Sequence, residues 1–135
     1  MSRTNERIVT SLYDAVQRRD YQSPFELLDE HIRWDMSGLG LPDLAGVYLG
    51  HEGIREFWRC WLAAWETLEF ELVTVESRAD HVIVEVHQRN RGRASGVALD
   101  FHYFQAFTVR NRKVTASYAA DTLAKALEAV GLPAI

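Results

Sequence analysis

The chain has 135 residues, 47% of them hydrophobic and 25% charged, with a formal net charge of −4. That is one globular domain's worth of sequence, long enough to bury roughly two-thirds of its unfolded surface without a metal or disulfide staple. The single cysteine, Cys60, excludes an intramolecular disulfide and a cysteine-based zinc cluster. No apolar run approaches the roughly 20 residues that span a bilayer, and the N-terminal MSRTNERIVT lacks a signal peptide's apolar core. The expectation is a cytoplasmic protein with no membrane partner.

Ile8, Val9, Leu12, Ala15 and Val16 recur at helical spacing and predict a helix over residues 5–19, with Thr4 as its cap. Ser23-Pro24-Phe25-Glu26 has the form of a capping box and opens a short second helix. Ile32–Met36 follows as a short strand. Ser37–Gly50 holds four glycines and one proline and reads as a loop. A third helix is predicted over residues 52–66, its buried stripe made of Ile54, Phe57, Trp58, Trp61, Leu62 and Trp65.

The second half changes period. Segments 68–77, 81–89, 97–110 and 114–120 are rich in Val, Phe, Tyr and Thr and are separated by turn-like tripeptides or dipeptides, which predicts an antiparallel meander. A closing helix over residues 122–130 carries Leu123, Ala126, Leu127 and Val130, and Gly131 stops it. Helices gathered on one face of a bent sheet make an α+β architecture. A sheet curving around the first and third helices would leave an apolar pocket between them.

The order and the motifs together resemble the SnoaL-like, or nuclear transport factor 2-like, superfamily. Tyr48-Leu49-Gly50-His51-Glu52-Gly53-Ile54-Arg55-Glu56-Phe57 is similar to the family's helix entry. Val109-Arg110-Asn111-Arg112-Lys113-Val114 is similar to its late hairpin, and residues 126–132 to its C-terminal tail. The resemblance implies one domain over residues 1–135, with a strongly curved antiparallel sheet wrapped around helices as a cystatin-like cone with an internal pocket. It also implies a homodimer through the outer face of the sheet. It fixes no activity, because the fold hosts isomerases, cyclases, dehydratases, epoxide hydrolases and non-enzymatic domains.

The family's steroid-isomerase branch uses an Asp base at the end of the first strand, a Tyr on the first helix and a protonated Asp on a later strand. Asp35 matches the base. The helical Tyr position falls on Leu12; Tyr13 is adjacent, but one residue turns a helical side chain by about 100°. The strand Asp position falls on Gln105. The polyketide-cyclase and epoxide-hydrolase branches place an Asp where this chain has Ala119. Asp121, two residues on, either turns inward at a bulge or caps the final helix.

Hairpin parity opposes residue 109 to 114 and hence His102 to Asp121, a pair that acts as a general base at a cavity mouth or as a salt bridge on the outer face. His87 falls on the wetter strand face, and His31, His51 and His81 near element ends. No histidine and acid set has helical metal-ligand spacing, and no cofactor is expected. Cys60 reads as a small buried hydrophobe. Six basic residues between Arg89 and Lys113 face only Asp100; they are solvated hairpin ends or a small anion-attracting patch, and the negative total argues against nucleic-acid binding.

The predicted pocket draws Leu12, Trp58 and Trp61 from the helices and Trp34 from beside Asp35. Strand parity adds Val84, Val86 and Gln88, and from the next hairpin Tyr103, Gln105, Phe107 and Tyr118. The resulting expectation is a SnoaL-like protein that binds a small hydrophobic molecule. The alternative is a small-molecule isomerase, cyclase or dehydratase with Asp35 as base and Asp121 and His102 as further candidates.

Overall fold

A computed structural model describes residues 2–39 and 46–133. Its elements, in chain order, are α1 (Ser2–Gln17), a 3-10 turn (Ser23–Glu26), β1 (Leu28–Gly38), β2 (Val47–Leu49) and α2 (Gly50–Ala64). β3 (Trp65–Arg78), β4 (His81–Gly92), β5 (Ala98–Arg110), β6 (Lys113–Ala120) and α3 (Leu123–Ala129) complete the chain. The six strands form one curved, unclosed sheet in the order β2-β1-β6-β5-β4-β3. The expected loop over residues 37–50 therefore contains the short strand β2, while its residues 40–45 lie outside the described residues.

The sheet is mixed. β3 to β6 form the expected antiparallel meander, but β1 pairs with β6 in parallel, because the chain crosses the whole sheet before returning beside its first strand. The β5–β6 hairpin turns on Asn111 and Arg112, both at positive φ (52° and 63°), the geometry of a two-residue turn that matches the twist of its strands.

α1 and α2 lie on the concave face. The buried stripe of α2 (Ile54, Phe57, Trp58, Trp61) and the α1 residues Val9, Leu12 and Tyr13 meet Val82, Val84 and Val86 of β4 and Phe107 of β5 in one core. Trp65 does not extend the stripe: the backbone there is already extended, and Trp65 opens β3.

α3 packs on the other face, where Ala126 and Leu127 join Ile83, Ala106 and Ala120 in a second, smaller cluster. The helices therefore do not all gather on one side. Asp20, not Ser23, caps the 3-10 turn: its carboxylate accepts from the backbone N–H groups of Gln22 and Ser23 and from the Ser23 hydroxyl, which lowers its pKa. Among the described residues no helix is long and apolar enough to cross a membrane.

Candidate functional site

Between α1, α2 and the sheet the concave face holds a narrow cavity, with about 60 Å³ open to the centre of a water-sized sphere and about 650 Å³ when its mouth and the gaps between side chains are counted. Eight aromatic residues line it. Trp58 and Trp61 come from the α2 stripe, Tyr13 from α1, Trp34 from β1, and Tyr103 and Phe107 from β5. The rings meet at angles: Tyr13 and Phe107 are edge-to-face at 6.0 Å, and so are Trp34 and Phe107, whereas Phe57 and Trp61 stack at 5.9 Å. Such offsets follow the quadrupoles of the rings and keep them from collapsing into one flat stack.

Polar atoms enter this lining as a chain of neutral groups. The Tyr13 hydroxyl donates to Gln105 Oε1 at 2.5 Å, and Gln105 Nε2 donates to Ser117 Oγ at 2.6 Å. The Tyr103 hydroxyl is a further hydrogen-bond partner of the Tyr13 hydroxyl. Burial pushes both phenols well above their ordinary pKa, so both stay protonated at neutral pH. Farther along β4, Gln88 Nε2 donates to Asn90 Oδ1 at 3.0 Å. Among the described residues the Trp34 indole Nε1 is buried without a hydrogen-bond partner. No charged side chain belongs to the described lining. The lining can hold an apolar body and orient a carbonyl or hydroxyl, and its described groups offer no base for neutral pH.

Of the expected pocket residues, Leu12, Trp34, Trp58, Trp61, Gln88, Tyr103, Gln105 and Phe107 line this cavity. Val84 and Val86 are buried in the same core without lining it. Tyr118 is on the opposite face. In the β5–β6 ladder Val109 opposes Val114, but Thr108 opposes Ala116, so Thr115 is an extra residue that shifts the register by one. Ser117 and Ala119 consequently share the face of Phe107 and Gln105, and Tyr118 turns outward beside Ala106.

Asp35 is also corrected. Trp34 and Met36 line the cavity, and strand alternation puts Asp35 between them on the outer face, in a groove with Arg33, Thr108 and Tyr118. Its carboxylate accepts from Ser37 N–H at 2.9 Å, from the Ser37 hydroxyl at 2.6 Å and from Arg33 at 3.3 Å. It is not the carboxylate of the apolar pocket.

The register shift also separates His102 from Asp121. His102 faces His87 across the β4–β5 ladder. Asp121 is exposed and pairs with Lys125 at 2.9 Å, a contact that lowers its pKa, and Thr122 caps α3 by accepting from Lys125 N–H. Cys60 is exposed, off the α2 stripe, with its thiol on Glu56, which raises the thiol pKa. His51, expected in solvent, is half-buried, with Nε2 2.9 Å from the Leu28 carbonyl.

Tyr13 lines the cavity beside Leu12, on which the family's helical Tyr position falls, and Met36, Phe57 and Phe70 are further lining residues outside the expected set. For Tyr13 its own helix carried the signal, since Val9, Leu12, Tyr13 and Val16 lie at i, i+3, i+4 and i+7 on one face.

The SnoaL-like domain family matches residues 9–117, and the chain belongs to that family. No curated protein matches it. Among solved structures, a protein from a soil-derived mobile gene cassette is 24% identical, with a TM-score of 0.79 over 95% of this chain and 96% of that one. TerC co-crystallised with polyporic acid is 20% identical, with a TM-score of 0.78 over 93% and 96%. A putative SnoaL-like polyketide cyclase from a Jannaschia species is 17% identical, with a TM-score of 0.76 over 98% and 94%. At these identities the likeness is one of fold.

Proposed function

We propose that this chain binds a small, mainly apolar molecule carrying one carbonyl or hydroxyl oxygen in the cavity between α1, α2 and the sheet. The observation that carries this reading is the lining itself, eight aromatic side chains with two glutamines and no described charge. Sites of this composition draw affinity from apolar burial and orientation from a few fixed polar groups. The buried Trp34 N–H has no partner among the described residues, and an unmet donor of that kind costs about 1–3 kcal/mol. A ligand oxygen would satisfy it. That TerC, which shares the fold, was co-crystallised with polyporic acid supports a small organic molecule as the class. The alternative, an isomerase, cyclase or dehydratase with Asp35 as base, loses its proton acceptor to the outer face. The family's dimer through the outer sheet is part of the proposal; α3 covers one end of that face and leaves the β3–β4–β5 end open.

The experiment is a thermal-shift screen of matched pairs, each a cyclic or aryl ketone against its hydrocarbon, on the wild type and on Trp34→Phe. Stabilisation by ketones over hydrocarbons, with the preference lost in Trp34→Phe, supports the reading. Ligands that stabilise neither protein, or an unchanged preference in the variant, contradict it.

A further inference from the structure

On the outer face, away from the cavity, three strands carry a row of residues directly opposite one another: Glu71 on β3, His87 on β4 and His102 on β5. The two imidazoles stack with centroids 4.2 Å apart and planes 4° from parallel. Asp100 lies two residues before His102 on the same strand face, with Oδ1 2.5 Å from His87 Nε2. One ligand atom each from His87, Asp100 and His102 falls within 4.8 Å of the other two.

We infer that His87, His102 and Asp100 form a binding site for a divalent transition-metal ion of the zinc class. Each histidine has its Nδ1 turned to a glutamate, that of His87 to Glu71 at 3.4 Å and that of His102 to Glu85 at 3.8 Å. Metal-binding histidines commonly present one ring nitrogen to the ion while a carboxylate holds the other ring N–H, which fixes the tautomer. In the metal-free chain His87 Nε2–H donates to Asp100 while Nδ1 faces Glu71 and Arg89, so the ion takes the place of the Nε2 proton and leaves Nδ1–H to Glu71; Glu85 stands near the His102 ring for the same role.

Two imidazoles and one carboxylate suit zinc, nickel or copper; magnesium and calcium prefer all-oxygen shells. Three protein ligands leave the fourth tetrahedral position for water. In a tetrahedral zinc site neighbouring ligand atoms are about 3.3 Å apart, so the three must close by about 1.5 Å at most. Side-chain rotation covers that distance, because His102 and Asp100 are more than half exposed.

Local charge favours a cation: among the described residues Glu69, Glu71, Glu85 and Asp100 share this face with the guanidiniums of Arg89 and Arg91. Arg89 Nη2 is 3.3 Å from His87 Nδ1, and its Nε is 3.6 Å from Asp100 Oδ2. Metal binding exchanges the His87–Asp100 hydrogen bond for two metal bonds and releases Arg89 to Glu71, whose Oε1 is already 3.9 Å away. The sequence hides the site because its three ligands come from two strands and only the β4–β5 register brings them together.

The test is calorimetric titration of the whole chain with zinc chloride in a non-chelating buffer, with mass followed by light scattering. One equivalent per chain is expected, weakened at least about tenfold in His102→Ala and in His87→Asn. Glu71→Gln, which alters only the group holding His87, should weaken binding by about 10- to 100-fold while leaving the stoichiometry at one. His31→Ala, an exposed histidine beside Glu30, should change nothing. Circular dichroism of each variant verifies folding. Zinc affinity equal in wild type and His102→Ala overturns the site. So does half an equivalent per chain, whatever the mass, which places the ion between two chains across the outer sheet face.

Discussion

Tyr13→Phe isolates the buried polar chain that organises the cavity. The substitution removes one oxygen and leaves the ring packed against Phe70 and Phe107. Two contacts go with it: Gln105 Oε1 loses its donor, and the Tyr103 hydroxyl loses a hydrogen-bond partner. Both orphaned groups belong to residues that are about 5% exposed or less, so water does not easily replace the lost partner. A neutral hydrogen bond contributes about 0.5–1.5 kcal/mol net, and an unmatched buried polar group costs about 1–3 kcal/mol. The expected destabilisation is therefore about 1–3 kcal/mol, a fall in Tm of roughly 3–15 °C for a chain of this size.

The assay is urea denaturation followed by tryptophan fluorescence, with Tyr21→Phe as the control. Tyr21 is only partly buried, and its variant should stay within about 0.5 kcal/mol of the wild type. In a double-mutant cycle with Gln105→Leu, a coupling of at least about 0.5 kcal/mol is expected for residues in one network. A neutral Tyr13→Phe with an additive double mutant would mean that no buried polar chain links helix to sheet.

Three more outcomes follow from the same geometry. Burial raises the folded-state pKa of Tyr13 and Tyr103, so their contribution to stability is complete below the unfolded phenol pKa near 10 and declines as pH climbs above it. Phenolate absorbance in an alkaline titration should show these phenols ionising only as the chain unfolds; early, reversible ionisation of both in the wild type would contradict it. Asp35→Asn should cost about 1–2 kcal/mol in a melt through its bonds to Ser37 and leave ligand affinity unchanged, whereas loss of ligand affinity would return Asp35 to the site. Gly38→Ala should destabilise by about 1–3 kcal/mol in denaturant titration, because an added Cβ would stand 2.5 Å from the Ala119 carbonyl oxygen at the β1–β6 junction; a neutral effect would mean that this junction is looser than described.

Much of the fold is legible in periodicity. The α2 stripe and the Val82–Val84–Val86 alternation each name their buried face before any coordinate is known, and the three strand-to-strand turns of the meander follow from turn-forming residues. What periodicity does not carry is a local break in it. Thr115 adds one residue to β6, and every residue after it changes face, so Tyr118 turns away from the pocket and Ser117 comes to the side of Gln105, whose amide it accepts from.

Likeness to an enzyme branch points Asp35 into the pocket, but its neighbours do not: Ile32, Trp34 and Met36 are the apolar members of the strand, and alternation puts Asp35 opposite them. Trp65 fits a helical stripe by spacing, yet the chain turns extended there, because spacing alone does not mark a helix end that lacks a glycine or proline. The histidine row was illegible for a different reason. His87 and His102 are fifteen positions apart in sequence, and only pairing in the sheet makes them neighbours.

Indole N–H resonances report whether the aromatic cavity takes a small apolar ligand. The chain has four tryptophans. Three of them, Trp34, Trp58 and Trp61, line the cavity. In a titration of nitrogen-15-labelled protein with an aryl ketone, those three indole signals should shift together, Trp34 by the most, while the outer-face amides of His87 and Asp100 stay still. Shifts confined to the outer face, or indole signals that do not move at saturating ketone, would contradict the account.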